Sequence, residues 1–344
     1  MYPAPVQPAV PHPLAHTLGF EIEFLIQSDL QLFTLQQEVA HVINTTGLAR
    51  ARPQQEDAHP GTGVWLVGRD SSITGGRGEQ GIEIITGVYW DVPGLEGATN
   101  GWRNVLRGVF AALQRYYKQR MKTSKSAALH VHVGVGVGKG VHWEFEDAKR
   151  LAYVVTLMEA QLDMFHSEER RNPPDAMGRA HMDQWIHSLR YSPVLAQLSN
   201  EQVAERIAVC KDWEPLLLTV QADWEGVRPW RRGYRVNFLS LEKYGTVEFR
   251  QHACSIDGDE MVDWGFLLLR ICRWVRITSE GTIRDMCVRG RVKLVDLFPP
   301  TTTAGYVDWR GMELVRQVIE PPPGRLPKRR KVTVEEVNRE CMVS

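Results

Sequence analysis

The chain's clearest pattern is a two-residue period that returns in several short stretches. Leu18–Ile26 alternates apolar and polar positions, as a half-buried strand does. Val64–Val67, Ile82–Val88 and Leu129–Val135 predict further strands, with glycine-rich turns between them. Tyr234–Leu241 and Thr246–His252 predict a strand pair joined by a turn at Glu242–Gly245. Between these lie stretches of helical period. Gln31–Ile43 is one. Trp102–Gln119 aligns Val105, Leu106, Val109, Phe110 and Leu113, and Phe145–Phe165 aligns Leu151, Val154, Val155, Met158 and Leu162. Asp259–Thr278 is helical and apolar. Short strands among longer helices, with no internal repeat, predict an α+β or α/β class.

The polar side of these strands carries the chemistry. In Gly19-Phe-Glu-Ile-Glu-Phe24 the apolar residues take one face, and Glu21 and Glu23 share the other, about 6.5–7 Å apart at the strand rise per residue. Leu129-His-Val-His-Val133 does the same with His130 and His132. Val247–His252 does it with Glu248, Arg250 and His252, and Gly81-Ile-Glu-Ile-Ile85 places Glu83 in a very apolar strand. One wet strand face is ordinary. A solvent face, however, also draws Lys, Thr, Ser and Gln, whereas these positions are almost entirely Glu, His and Arg. Four glutamates converging on one face would repel each other and raise each other's pKa values. Divalent cations remove that conflict, and oxygen-rich ligands with a few imidazoles suit Mg²⁺ or Mn²⁺. Arg250 reaches the same side as Glu248 and can hold a phosphate.

Composition narrows the class. The 344 residues carry 41 Lys+Arg against 41 Asp+Glu, with 43% hydrophobic and 24% charged residues. That excludes wholesale disorder and argues against a dedicated nucleic-acid binder, which carries a basic excess. The N-terminal stretch to Pro13 is proline-rich and lacks the regions of a secretory signal. No apolar run approaches the roughly 20 residues of a membrane span. Five widely spaced cysteines (Cys210, Cys254, Cys272, Cys287, Cys341) without a CxxC pair read as reduced intracellular thiols, so a cytoplasmic location is expected and the Asn44 sequon is expected to stay unused. The organisation expected is a flexible tail over 1–16, one catalytic domain over 17–320, and a Pro-rich then basic tail over 321–344. The basic run Lys328–Lys331 resembles a short nuclear-import signal, although a charge run of this kind is usually a solvated tail.

Two glycine motifs are weaker. Gly76-Arg-Gly-Glu-Gln-Gly81 fits GxGxxG but leads into a strand rather than opening a helix. Gly134–Gly140 looks like a phosphate loop but is one residue short and lacks the Ser/Thr that binds Mg²⁺.

Taken in order, the motifs resemble the amidoligase family, within the glutamine synthetase and glutamate–cysteine ligase superfamily of carboxylate–amine ligases. The matching pieces are Gly19–Phe24, Asp70-Ser-Ser-Ile73, Gly81–Ile85, Leu129–Gly134, Tyr234-Arg-Val-Asn-Phe238 and Gly245–His252. The resemblance implies an α+β fold in which an antiparallel, curved β-sheet of glutamine synthetase-like type forms the active-site face, packed with helices. It implies ATP and two or three Mg²⁺ ions (Mn²⁺ in their place is allowed), with Glu21, Glu23, Glu83, His130 and Glu248 as metal ligands. It implies nucleotide contacts from His132, Arg250, Arg235 and Asn237, and a catalytic part for Glu248 and Arg250. Asp70 enters as a candidate base only because it sits in a motif, and Arg171 as a candidate holder of a substrate carboxylate. The implied reaction joins a carboxylate and an amine through an acyl phosphate, with a small molecule, a peptide or a protein side chain as substrate, and no nucleic acid or membrane. Ala127-Ala128 and Thr86-Gly87 depart from the family's usual Cys-Gly and Ser. A zinc amidohydrolase using the His-x-His strand explains neither Glu-x-Glu nor Glu-x-Arg; an inactive binding protein of ligase fold is the other alternative.

Overall fold

The computed structural model describes residues 13–55, 63–92, 101–137, 141–163, 165–166, 187–222 and 234–289. The proline-rich start, Gly138–Gly140, Arg171, residues 228–232 and both basic and proline-rich stretches beyond 289 fall outside these. The strands are β1 (His16–Gln27), β2 (Arg50–Pro53), β3 (Val64–Gly68), β4 (Glu79–Ile85), β5 (Tyr89–Asp91), β6 (Met121–Lys122), β7 (Ala128–Gly134), β8 (Val236–Asn237) and β9 (Thr246–Ala253). The helices are α1 (Leu32–Thr45), α2 (Gly101–Tyr117), α3 (Phe145–Leu157), α4 (Glu159–Asp163), α5 (Asn200–Ala208), α6 (Trp213–Val220), α7 (Ser240–Tyr244), α8 (Gly258–Ile277) and α9 (Glu280–Val288). No described helix is long and apolar enough to cross a membrane. The chain divides into two compact units, Met1–His142 with Glu248–Gly265, and Trp143–Val247 with Phe266–Ser344.

The first unit is built around an open sheet in the order β2-β3-β4-β1-β7-β9, with β5 and β6 also pairing with β1. β1 is its centre. It runs antiparallel to β4, with Glu23 opposite Glu83, and antiparallel to β7, with Glu21 opposite His130 and Gly19 opposite His132. The sheet is mostly antiparallel, but not wholly as the sequence suggested, because β2 pairs parallel to β3. That pairing rests on four residues ending in Pro53, which has no N–H for a ladder and belongs at an edge. Arg50–Pro53 alternates over only four residues, too short a run to mark a strand in the sequence.

Alternation divides the faces. Phe20, Ile22, Phe24 and Ile26 of β1, Ile82 and Ile84 of β4, and Leu129, Val131 and Val133 of β7 are all buried on one side. α2 lies against this side: Trp102 stacks on Phe20 at 5.7 Å between ring centroids, and Phe110 meets Phe24 edge-on at 6.3 Å. The indole N–H of Trp102 donates to Asp91 Oδ2 at 2.8 Å, so a large apolar body is buried with its polar edge satisfied. With the apolar face committed to the core, the glutamates and histidines of the odd-and-even pattern must share the other face.

The second unit is helical. α3 packs Phe145 edge-on against Trp213 of α6. Its buried Lys149 pairs with Glu280 of α9 at 3.2 Å, and Tyr153 donates to the same carboxylate at 2.9 Å. The single helix expected over Phe145–Phe165 breaks at Met158 and restarts as α4. The break aims Glu159 into a buried cluster, where it accepts bonds from the Ser188 hydroxyl and, at 3.3 Å, from the Leu189 N–H. The strand expected over Tyr234–Leu241 shortens to β8. Asn237 ends it: its side-chain carbonyl accepts the Leu239 N–H at 3.0 Å, a local turn that competes with extended backbone. The expected turn at Glu242–Gly245 is the end of α7, closed by Gly245 at φ 67°.

Candidate metal centre

The polar face of the first unit gathers its carboxylates into two groups. Glu21, His132 and Glu248 each bring one ligand atom within 4.8 Å of the others, and Glu23, Asp70 and Glu83 do the same. The Glu-x-Glu repeat of β1 therefore feeds two clusters, one from each glutamate. Glu83 reaches the second cluster from the neighbouring strand, directly opposite Glu23. Asp70 reaches it from the loop after β3. Spacing alone did not reveal this role, since Asp70 is on no alternating strand; the motif Asp70-Ser-Ser-Ile73 was the one available signal.

Hydrogen bonds fix the first cluster. His130 Nδ1 lies 3.1 Å from Glu21 Oε2 and 3.6 Å from Glu248 Oε1, and His132 Nε2 lies 3.2 Å from Glu21 Oε1. Both imidazoles thus grip one carboxylate, a juxtaposition set by β1–β7 register. His132 belongs to the three-group cluster, while His130 bridges Glu21 and Glu248 beside it. Arg250 completes the arrangement by bonding its own strand neighbour Glu248. In the second cluster, Glu23 Oε2 accepts the Ala128 N–H at 2.8 Å, and Asp70 Oδ1 accepts the Ser72 N–H at 2.6 Å in a local turn.

The two clusters differ electrically. Burial alone would raise Glu21, but its bonds to His130 and His132 outweigh burial and hold it well below the usual carboxylate range. Burial likewise opposes ionisation of Glu248; Arg250, with help from the two histidines, brings it down to about 2. Desolvation disfavours the charged His132, yet Glu21 and then Glu248 raise its pKa. Glu23 is different. Burial raises it, the charge of Asp70 adds to that, and His130 and the Ala128 N–H compensate only in part. The first cluster carries its own countercharge. The second is three carboxylates, and at Glu23 the charges of His130 and Arg250 offset burial only in part.

Arg235 and Asn237 belong to the second unit. Arg235 pairs with Asp163 and, at 3.6 Å, with Glu159. Asn237 donates to Ser240 Oγ at 3.1 Å and takes part in the turn after β8. Arg171 lies outside the described residues. His252, on the polar side of β9, has Glu260 at 3.7 Å.

A face that gathers five carboxylates, two imidazoles and a guanidinium has the donor set that suits hard divalent cations and anionic groups. Residues 15–274, about three quarters of the chain, match the family model described as "putative amidoligase enzyme", and the chain belongs to that family. By family it is an amide-bond-forming ligase. No curated protein matches it.

Proposed function

We propose that this ligase is ATP-dependent, that it works on a glutamine synthetase-like sheet, and that it joins a carboxylate to an amine through an acyl phosphate. The observation that carries the reading is the pair of clusters on one sheet face, one from each glutamate of β1, with Arg250 beside them. The donor set fits the implied ions. Five of the six clustered groups are carboxylates, which suit Mg²⁺ or Mn²⁺ better than a soft metal. Glu21, His132 and Glu248 would hold one ion, and Glu23, Asp70 and Glu83 a second. Ions so held would offset the negative charge of phosphate groups and favour in-line phosphoryl transfer.

The protein's own groups have defined parts in this reading. Arg250 keeps one amino group on Glu248, while its buried Nε has no hydrogen-bond partner among the described residues, which leaves a donor for a phosphate oxygen. Glu248 orients Arg250. His130 and His132 hold Glu21 ionised and fixed in direction. Asp70 serves as the third carboxylate of its cluster rather than as the base for the amine. The substrate carboxylate attacks the γ-phosphoryl group of ATP, giving an acyl phosphate and ADP; the amine then displaces phosphate, forming the amide and losing a proton. Arg235 and Asn237 are left out, because Asp163, Glu159 and Ser240 already engage them.

The test is ADP release from Mg·ATP with pooled carboxylates and amines, deconvoluted by mass spectrometry of the amide. ADP release that needs both pools, and that Glu248→Gln abolishes in a folded protein, supports the reading. Hydrolysis of an amide by zinc-loaded protein, with no ATP consumed, would replace it with the hydrolase.

A further inference from the structure

The second cluster takes one carboxylate from β1, one from β4 and one from a loop. The strands fix Glu23 and Glu83 by register. Nothing in the ladder fixes Asp70, so something else must hold the loop that carries it. The loop, from Arg69 to Gly78, is tied at three places. Ile73 N donates to Asp70 O at 3.3 Å and Ser72 N to Asp70 Oδ1, so Asp70 and Ile73 form one tight turn. Thr74 is held between hydroxyls: its N–H donates to Ser126 Oγ at 2.8 Å and its carbonyl accepts from Ser124 Oγ at 3.2 Å. Gly76 N donates to Glu79 Oε2 at 2.8 Å, and Glu79 accepts from Lys122 at 2.8 Å.

The third face of that turn is Ile73, buried although the rest of its loop is exposed or half-buried. It rests on Gly81. A Cβ at Gly81 would lie 2.8 Å from Ile73 Cβ and 3.1 Å from Ile73 Cγ2. Both are the near end of a β-branched side chain, which has little freedom to swing aside. Gly81 has ordinary strand backbone, so conformation does not demand glycine there. Close approach does. Gly81 is also two residues from Glu83 on the same strand face, in register with Leu25 two residues from Glu23. The bare Cα therefore lies next to the cluster that the loop completes.

We infer that Gly81 is a positioning residue: its missing side chain is the seat for Ile73, and that seat sets Asp70 against Glu23 and Glu83. The inference rests on the proposed cation role of that cluster but concerns how it is assembled. Any side chain at position 81 lifts Ile73, and the turn carries Asp70 away while both strand glutamates stay in register. One cluster is weakened and the other is untouched.

The experiment compares wild type, Gly81→Ala, and the double variant Gly81→Ala/Ile73→Ala, each metal-stripped and titrated with Mn²⁺, with free ion followed by electron paramagnetic resonance. In Gly81→Ala one class of Mn²⁺ site weakens by about 10- to 100-fold, the loss typical of a supporting residue, while the other class is unchanged. The double variant regains most of the loss, since the added methyl occupies the space given up by the isoleucine. A metal-free readout accompanies it: trypsin cuts faster at exposed Arg69 and Arg77 in Gly81→Ala and slower again in the double variant. Parallel weakening of both site classes, an unchanged titration, or no rescue would overturn the inference. Absence of Mn²⁺ binding in the wild type would overturn the cation reading itself, and the trypsin result would still judge the seat.

Discussion

Replacing Glu248 by Gln tests whether the first cluster is the charge-balanced assembly described above. Arg250 and the two histidines lower Glu248 from an ordinary 4.5 to about 2, despite burial. At roughly 1.4 kcal/mol per pKa unit, that is about 3 kcal/mol of stability in the metal-free protein. The sign follows from linkage. A depressed carboxylate stabilises the fold fully above its unfolded pKa, and the contribution is lost as pH falls from about 4.5 towards about 2. Urea unfolding of metal-stripped wild type and Glu248→Gln, at intervals from pH 7 to pH 2.5, should show the variant about 3 kcal/mol less stable near neutrality and the two curves converging at the acid end. A difference that stays constant with pH, or a variant as stable as wild type at pH 7, would refute the claim that Arg250 and the histidines stabilise this carboxylate.

Two other predictions follow from buried polar groups. Gln251 is 1% exposed, on the same side of β9 as the core residue Phe249, and its amide has no hydrogen-bond partner among the described residues. Gln251→Leu should raise stability by about 1–3 kcal/mol, the cost of an unpaired buried amide, read as a higher urea midpoint with unchanged slope; a lower midpoint would show the amide to be satisfied. His187 is buried and lowered first by desolvation and then by Arg235. The unfolded chain takes up the proton first, so stability should fall as pH drops below about 6.5, and His187→Gln should flatten that part of the profile.

Much of the sheet was legible in the sequence. The period-two stretches at β1, β4, β7 and β9 gave the strands, because one face of each is committed to Phe20, Ile22, Ile84, Val131 and their neighbours in the core. The same alternation made Glu21, Glu23, Glu83, His130, His132 and Glu248 stand out, since a two-residue period leaves them no other face. What was not legible depends on contacts across the chain. β2 is an edge strand of four residues with no face to bury twice. Asp70 is delivered by a turn whose seat, Gly81, looks in sequence like part of a weak GxGxxG motif. Met158 and Asn237 interrupt elements whose periodicity runs on through them; Glu159 and the Asn237 turn win because they satisfy buried polar groups. α5 could have been found, because Ser199 and Gln202 form a capping box at its start.

The central claim is that paired carboxylate clusters bind divalent cations together with ATP. The most direct test is the melting temperature of metal-stripped protein with ATP alone, Mg²⁺ alone and both, since a ligand of the folded state stabilises it by mass action. The account predicts a rise with ATP only when Mg²⁺ is present. A flat response to Mg·ATP, with recovery on one equivalent of Zn²⁺, would contradict it.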